Sequence, residues 1–255
     1  MKLITYSDLH LEFGTNFKPT KDSEADLMIL SGDIITFKNF KPLSDFLSDW
    51  KKPVLYVAGN HEYYTRSPMN NNEQDFCNYI ATNPNITWLN NSDFSLNDVH
   101  FFGGTMWTNF DDSNPDAMRN AWGAMNDFRQ IVMPNRQILT PHETVKMHVD
   151  FKEKLIAWLE KYHDKKIVVI SHHAPVKNPN TKYGNSNLQP AFNSLDMVEV
   201  IEKYQPDLWI YGHTHECDDQ MIGKTRIISN QMGYPGNYGS YECAGFDKEG
   251  MKIRL

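Results

Sequence analysis

Short apolar runs recur along this chain, and each stops abruptly at polar or glycine-containing residues. Leu3–Tyr6 gives way to Ser7-Asp8-Leu9-His10, and Leu27–Leu30 to Ser31-Gly32-Asp33. Val54–Ala58 leads into Gly59-Asn60-His61-Glu62, Ile167–Ile170 into Ser171-His172-His173, and Leu208–Tyr211 into Gly212-His213-Thr214-His215. Runs this short, rich in Ile, Val, Leu and Tyr and bounded by turn residues, predict buried strands. The intervening stretches Pro42–Trp50, Pro141–Tyr162 and Leu195–Tyr204 predict helices. In the longest, Val145, Val149, Ile156 and Leu159 recur at helical spacing and are expected to form its buried face. Strands alternating with helices predict a layered α/β fold.

Toward the C-terminus the pattern changes. Thr225–Ser229, Tyr241–Phe246 and Met251–Leu255 read as strands with short connections, Asp247-Lys248-Glu249-Gly250 being a turn, and antiparallel pairing is expected there. No linker or internal repeat interrupts the chain, so residues 1–255 are expected to form a single domain. The stretch 103–140 has weak periodicity and holds Trp107, Pro115, Trp122 and Pro134. It reads as a long excursion over one face, a cap or substrate loop.

Composition narrows the classes. The chain has 255 residues, 40% of them hydrophobic, enough for a sizeable core. A net charge of -7 argues against binding duplex DNA through a basic surface, because such binding depends on neutralising phosphates. Cys77, Cys217 and Cys243 form no CxxC pair, which predicts a reducing compartment without disulfides. Cys217 lies two residues beyond His215 and could approach a metal, although a small buried thiol is the plainer reading. The first residues make no secretory apolar segment, and no run approaches the roughly 20 apolar residues of a membrane helix. A cytoplasmic location and no membrane partner are expected.

The polar clusters all follow predicted strands. In open α/β sheets that is where ligands bind, outside the carboxyl ends of the strands. The clusters contain Asp, His and Asn, ligands for divalent metals such as Mn, Fe, Zn or Ni. Each cluster alone is weak, since an Asp-x-His or a Gly-Asp after a strand is usually just a turn. All five in this order are another matter.

The set Asp8-Leu9-His10, Gly32-Asp33, Gly59-Asn60-His61-Glu62, His172-His173 and Gly212-His213-Thr214-His215 resembles the motifs of the calcineurin-like metallophosphoesterases, over residues 8 to 215. The resemblance implies a four-layer α-β-β-α sandwich, two mixed sheets flanked by helices, with two divalent metal ions at the strand ends. Carried over, one metal would be held by Asp8, His10 and His215, and the other by Asn60, His172 and His213. Asp33 would bridge both. His61 would bind no metal and would face the substrate as acid for the leaving group. Glu62 fits the family's pattern and would orient a nearby histidine or backbone group.

The chemistry agrees with that assignment. Two ions about 3.5–4 Å apart clamp an in-line displacement at phosphorus and activate a bridging hydroxide. A short carboxylate with two oxygens suits the bridging position. Gly32, Gly59 and Gly212 allow sharp turns beside the ligands.

The substrate side is less defined. Residues 101–110 and 125–129 resemble a segment of small bacterial and phage members of the family. Trp107 and Trp122 could stack on a base or simply pack; Arg129 could grip a phosphate or sit in a surface ion pair; His173 could touch substrate or be packed. The stretch 229–236 resembles a loop that often carries Arg where Met232 stands here, which weakens a phosphate-binding role for it; Tyr234 could still line the pocket. His100, His142, His148 and His163 are assigned to helix faces or the surface.

A phosphate ester is the expected substrate: a cyclic nucleotide, a nucleotide-like small molecule or single-stranded nucleic acid. Diesters are favoured over monoesters, because a leaving-group acid such as His61 serves them. The alternative is a non-catalytic scaffold of the same fold that binds a partner protein, but all seven ligand types are intact. A metallo-β-lactamase-like hydrolase would need an HxHxDH cluster, which the chain lacks. Nothing in the sequence marks an oligomeric state.

Overall fold

In the computed structural model, two sheets pack face to face and helices cover both outer surfaces. Residues 1–14, 17–20, 24–184, 186–236 and 240–255 are described. The strands are β1 Lys2–Tyr6, β2 Leu27–Ser31, β3 Val54–Val57, β4 Ile86–Trp88, β5 Ser92–Leu96, β6 Val99–Gly104, β7 Lys166–Ser171, β8 Leu208–Ile210, β9 Asp218–Ile222, β10 Thr225–Ser229 and β11 Met251–Arg254. The helices are α1 Lys41–Phe46, α2 Met69–Ala81, α3 Phe110–Ser113, α4 Pro115–Ala124, α5 Asp127–Gln130, α6 Pro141–Lys161, α7 Gln189–Phe192 and α8 Met197–Tyr204.

One sheet runs β11-β1-β2-β3-β4 and the other β5-β6-β7-β8-β10-β9. β1 to β4 are mutually parallel, as are β6, β7, β8 and β10, while β11, β5 and β9 add antiparallel edges. This is the mixed-sheet α-β-β-α sandwich expected from the motifs.

Side chains alternate across each strand, and that alternation sorts them into separate cores. Leu3, Leu27, Ile29, Val168, Ile170 and Leu208 fill the space between the sheets. Their neighbours Ile4, Met28 and Leu30 face the outer helices of the first sheet, beside Phe46 and Phe76. Ile167, Val169 and Trp209 face the outer helices of the second, beside Phe151, Leu155 and Ile201. Both faces of the central strands are buried, which explains continuous apolar runs rather than alternation. Each large side chain fully buried contributes about 1.5–3 kcal/mol.

Several expectations change. In α6 the buried residues are Pro141, Thr144, His148, Phe151, Leu155, Trp158 and Leu159. Val149, expected inside, is 45% exposed. The aromatic residues set that face, and His148 joins it because Asp196 Oδ2 receives its Nε2 at 3.1 Å. Thr140 caps α6 by accepting from the Glu143 N–H, and Pro141 starts it. Tyr241–Phe246 is not a strand; only an isolated bridge between Pro235 and Tyr241 occurs there. Gly103 and Gly104 belong to β6, so the stretch that leaves the sheet begins at Thr105. Among the described residues, no helix is long and apolar enough to cross a membrane.

Candidate metal centre

The parallel strands of both sheets end on the same side, and the five polar clusters meet there. Asp8 and His10 follow β1, Asp33 follows β2, Asn60 and His61 follow β3, His172 follows β7, and His213 and His215 follow β8. Ligand atoms of Asp8, His10 and His215 lie within 4.8 Å of one another, and so do those of Asp33, His172 and His213; a third group, His10, Asp33 and His61, overlaps both.

In the first group His10 Nε2 and His215 Nε2 are 3.1 Å apart, with Asp8 Oδ1 3.5 Å from the latter. In the second, His172 Nε2 lies 3.0 Å from Asn60 Oδ1, 3.1 Å from His213 Nδ1 and 3.3 Å from Asp33 Oδ1. The other oxygen of Asp33, Oδ2, lies 4.0 Å from His10 Nε2. Asp33 thus turns one oxygen to each group.

The donor set fits a pair of cations. The Nδ1 atoms of three rings are engaged elsewhere: His215 with Glu242 Oε2 at 2.6 Å, His10 with Glu12 Oε1 at 3.3 Å, and His172 with the Ser31 carbonyl at 3.0 Å. Acceptors at these positions fix the proton on Nδ1 and leave a lone pair on Nε2. Neutral rings so arranged have no proton to share across the 3.1 Å gap between His10 and His215. Their lone pairs converge on space that a divalent ion would fill.

Without an ion, protons take its place. Burial opposes charging His172, yet Asp33 overrides it and pushes the imidazole up to about 9. Burial likewise opposes charge on His215, but Asp8 and Glu242 push it up to about 10. Burial would raise Asp33; His172, His61 and His10 instead hold it well below the usual carboxylate range. His213 moves the other way, neutralised by burial and by the imidazoles of His173 and His172.

The surrounding loops are built for this geometry. Asp8, His10, Asp33, His213 and His215 all take positive φ, between 44° and 75°. That conformation costs a non-glycine residue about 1–2 kcal/mol, so packing must enforce it. Glu62 does much of this. It accepts from the N–H groups of Asp33, Ile34 and Gly59 at 2.7–2.9 Å and from the Tyr56 hydroxyl at 2.6 Å, pinning two ligand loops together. Burial and the charge of Asp33 push Glu62 up to about 7, while these donors favour its ionised form. Gly59 and Gly212 are required for space. A Cβ at Gly59 would lie 2.1 Å from Asp33 Oδ1, and one at Gly212 would lie 2.1 Å from Ser7 Oγ. Of the three glycines in these loops only Gly32 needs its freedom of φ, at +91°.

Several participants carry little signal in the sequence. Asp127, from the stretch beyond β6, accepts from Asn60 Nδ2 at 2.8 Å and from the Tyr64 hydroxyl. It thereby fixes which end of the Asn60 amide faces His172. Glu12 stands between His10 and His61, with His61 Nδ1 3.1 Å from its Oε1. No motif or spacing in the sequence marked Glu12, Asp127 or Glu242 for these roles.

A cavity of about 420 Å³ opens beside the centre. Asp33, Asn60, His61, His213 and His215 form its floor, and Tyr234 lines it. The Tyr234 hydroxyl is 3.0 Å from His61 Nε2, and its ring lies 4.5 Å from that of His10. Much of the wall comes from residues 178–193, a stretch without a distinctive sequence pattern. Trp107 and Arg129 are not among the lining residues. Trp107 is buried against Tyr63 and His173, and Arg129 donates to the carbonyls of Gly123 and Ala124. His173 is buried, bonds the Thr105 carbonyl and stacks 4.1 Å from His213. Trp122 lies half-exposed over Phe128. Cys217 directs its thiol to the Gln231 carbonyl and joins none of the three groups.

Residues 1–217 match the calcineurin-like phosphoesterase family, and the chain belongs to it. A mimivirus protein of Acanthamoeba polyphaga, the uncharacterized protein L509, is 28% identical, covering 97% of this chain and 98% of its own. Among solved structures, the phosphopantetheinyl hydrolase of Mycobacterium tuberculosis superposes with a TM-score of 0.65 at 17% identity, covering 92% of this chain and 90% of that one. A dimetal phosphatase from Danio rerio gives 0.55 at 13% identity, covering 90% and 86%. Identities this low establish a shared fold. Family membership, with His and Asp groups able to hold metal ions, supports metal-dependent hydrolysis of phosphoesters.

Proposed function

We propose that this protein hydrolyses phosphodiesters, using two divalent ions and His61 as the acid that protonates the leaving oxygen. Asp8, His10 and His215 would hold one ion, Asn60, His172 and His213 the other, and Asp33 both. Manganese is the first ion to try; iron, zinc and nickel suit the same donors. When bound, the ions supply Lewis acidity toward the phosphoryl oxygens and make water more acidic.

The observation that carries the acid assignment is the setting of His61. Its Nδ1 is held by Glu12 at 3.1 Å, and its Nε2 lies on the cavity floor 3.0 Å from the Tyr234 hydroxyl. Burial lowers its basicity, but Asp33 and Glu12 more than offset this and raise it above the ordinary imidazole value. In its protonated form the ring carries a hydrogen on Nε2, at the cavity floor where a leaving oxygen would emerge. Such an acid contributes about 10²–10⁴-fold. Asn60 limits negative charge at the second ion because its side chain is neutral. Tyr234 keeps the acid's outer nitrogen oriented and narrows water access.

The test is metal removal followed by Mn²⁺ restoration, with a nitrophenyl diester, its monoester and an alkyl diester assayed on wild type and His61→Ala. The variant should lose about 10²-fold or more on the alkyl diester and far less on nitrophenyl esters, whose leaving group needs no proton. Equal losses on all would remove His61 from the acid role. Two ions bound without turnover of any ester would favour a scaffold.

A further inference from the structure

The chemistry of the cavity wall restricts the substrate further. Beyond the floor, the polar lining consists mainly of neutral groups: Asn126, Asn178, Thr181, Ser186, Gln189 and Asn193. Met125, Tyr183, Leu188 and Phe192 supply apolar and aromatic surface. The charged groups of the wall are Glu216 and Glu242, both anionic, and among the described residues no Lys or Arg lines the cavity.

The cations near the wall stand outside its lining, Lys182 within electrostatic reach of the Glu242 carboxylate. Lys182 lies over the Tyr183 ring at 4.8 Å, and Lys177 donates to the Gly184 carbonyl at 3.1 Å. Arg129 is bound to the carbonyls of Gly123 and Ala124. A second cleft shares Ser186, Gln189 and Asn193 with the cavity and adds Asp111, Asp112, Asp116, Asp196 and Lys177, Asp116 being paired with Arg119 and Asp196 with Lys152. Among the described residues, the side chains that line the cavity beyond the floor therefore supply no positive charge. Proteins that track nucleic acid do the reverse, placing Lys and Arg along the backbone path.

We propose that the substrate carries a single phosphate, the reacting one, on an otherwise uncharged body rich in hydroxyl, amide or heterocyclic groups. This rests on the hydrolytic reading above and excludes nucleic-acid strands and polyphosphates as preferred substrates. The phosphate is held at the ions. The amides and hydroxyls of residues 178–193 take the hydrogen-bonding edges of the body, and Tyr183 and Phe192 its flat or apolar faces. A volume of about 420 Å³ falls within the usual small-ligand range.

The test is calorimetric binding of thymidine 5'-monophosphate and thymidine 3',5'-bisphosphate to the Mn²⁺-loaded protein, which differ by one phosphate. The bisphosphate should bind about tenfold more weakly or worse, equivalent to ~1.4 kcal/mol. A Gln189→Lys substitution in the wall should narrow that gap severalfold. The matching 5'-nitrophenyl esters, assayed in parallel, should rank the same way in kcat/KM. Equal or tighter binding of the bisphosphate would overturn the proposal, as would failure of the monophosphate to bind. If the binding order holds but no ester is turned over, the hydrolytic reading fails and the charge selection stands.

Discussion

Asp127 offers the sharpest test of how the centre is assembled, because it reaches only one of the two ligand groups. Its Oδ1 accepts from Asn60 Nδ2 at 2.8 Å and from the Tyr64 hydroxyl, inside the protein at 3% exposure. With Nδ2 so occupied, the Asn60 amide must present Oδ1 to His172, 3.0 Å away. In Asp127→Ala that constraint goes. The amide keeps only the weaker contact of Nδ2 with the Tyr64 oxygen at 3.0 Å and can flip, turning N–H toward an incoming cation. Loss of an orienting partner of this kind typically costs 10–100-fold in metal affinity, about 1.4–2.7 kcal/mol. Two buried donors also lose their acceptor, which costs about 1–3 kcal/mol of stability. Competition against a metal-buffered chromophore would resolve two Mn²⁺ affinities. The weaker binding should appear at one ion only, since Asp8, His10 and His215 make none of these contacts. Asp127→Asn retains an acceptor oxygen and should lose about fivefold, the ~1 kcal/mol between charged and neutral acceptors. Unchanged affinity at both ions in a folded Asp127→Ala protein would refute the reasoning, and so would an equal loss at both.

Other expectations follow from the same geometry. Glu242→Gln should weaken the ion at Asp8, His10 and His215 by about 10–100-fold and spare the other, because the 2.6 Å contact to His215 Nδ1 orients that ring alone; metal titration reads it. Mn²⁺ affinity should rise with pH from 6 toward about 9 and 10, where His172 and His215 lose their protons in the metal-free protein. Each displaced proton adds about tenfold per pH unit below its pKa, so a flat profile between pH 6 and 8 would mean that these imidazoles are not displaced. Gly59→Ala, with its Cβ 2.1 Å from Asp33 Oδ1, should cost about 3 kcal/mol or more in urea unfolding. Gly123→Ala meets nothing within 4 Å in α4 and should gain about 0.5–1 kcal/mol, so equal effects at the two glycines would contradict the close packing argued at the centre.

Beyond the two sheets that the motif resemblance implied, the sequence by itself determined a layered α/β frame and the cluster of candidate ligands. Both came through local signals: central strands buried on both faces leave unbroken apolar runs such as Val168–Ile170, and ligand loops must follow such strands directly. The edge strand Ser92–Leu96 left no such mark, since its residues are half-exposed and its partner Val99–Gly104 runs into glycines. The inner face of α6 was misread for a related reason: Val149 has the right hydrophobicity, but packing goes to the larger Phe151 and Trp158, and to a histidine with a partner on a distant loop.

What only the tertiary structure decided is which polar groups orient the ligands and what the substrate meets. Asp127, Glu242 and the 178–193 wall lie far along the chain from the residues they serve, 67 positions in the case of Asp127 and Asn60. A ligand's identity is written beside its strand, because the strand itself carries it to the centre. Its orientation depends on a carboxylate brought from elsewhere by folding, and no spacing in the sequence records that meeting.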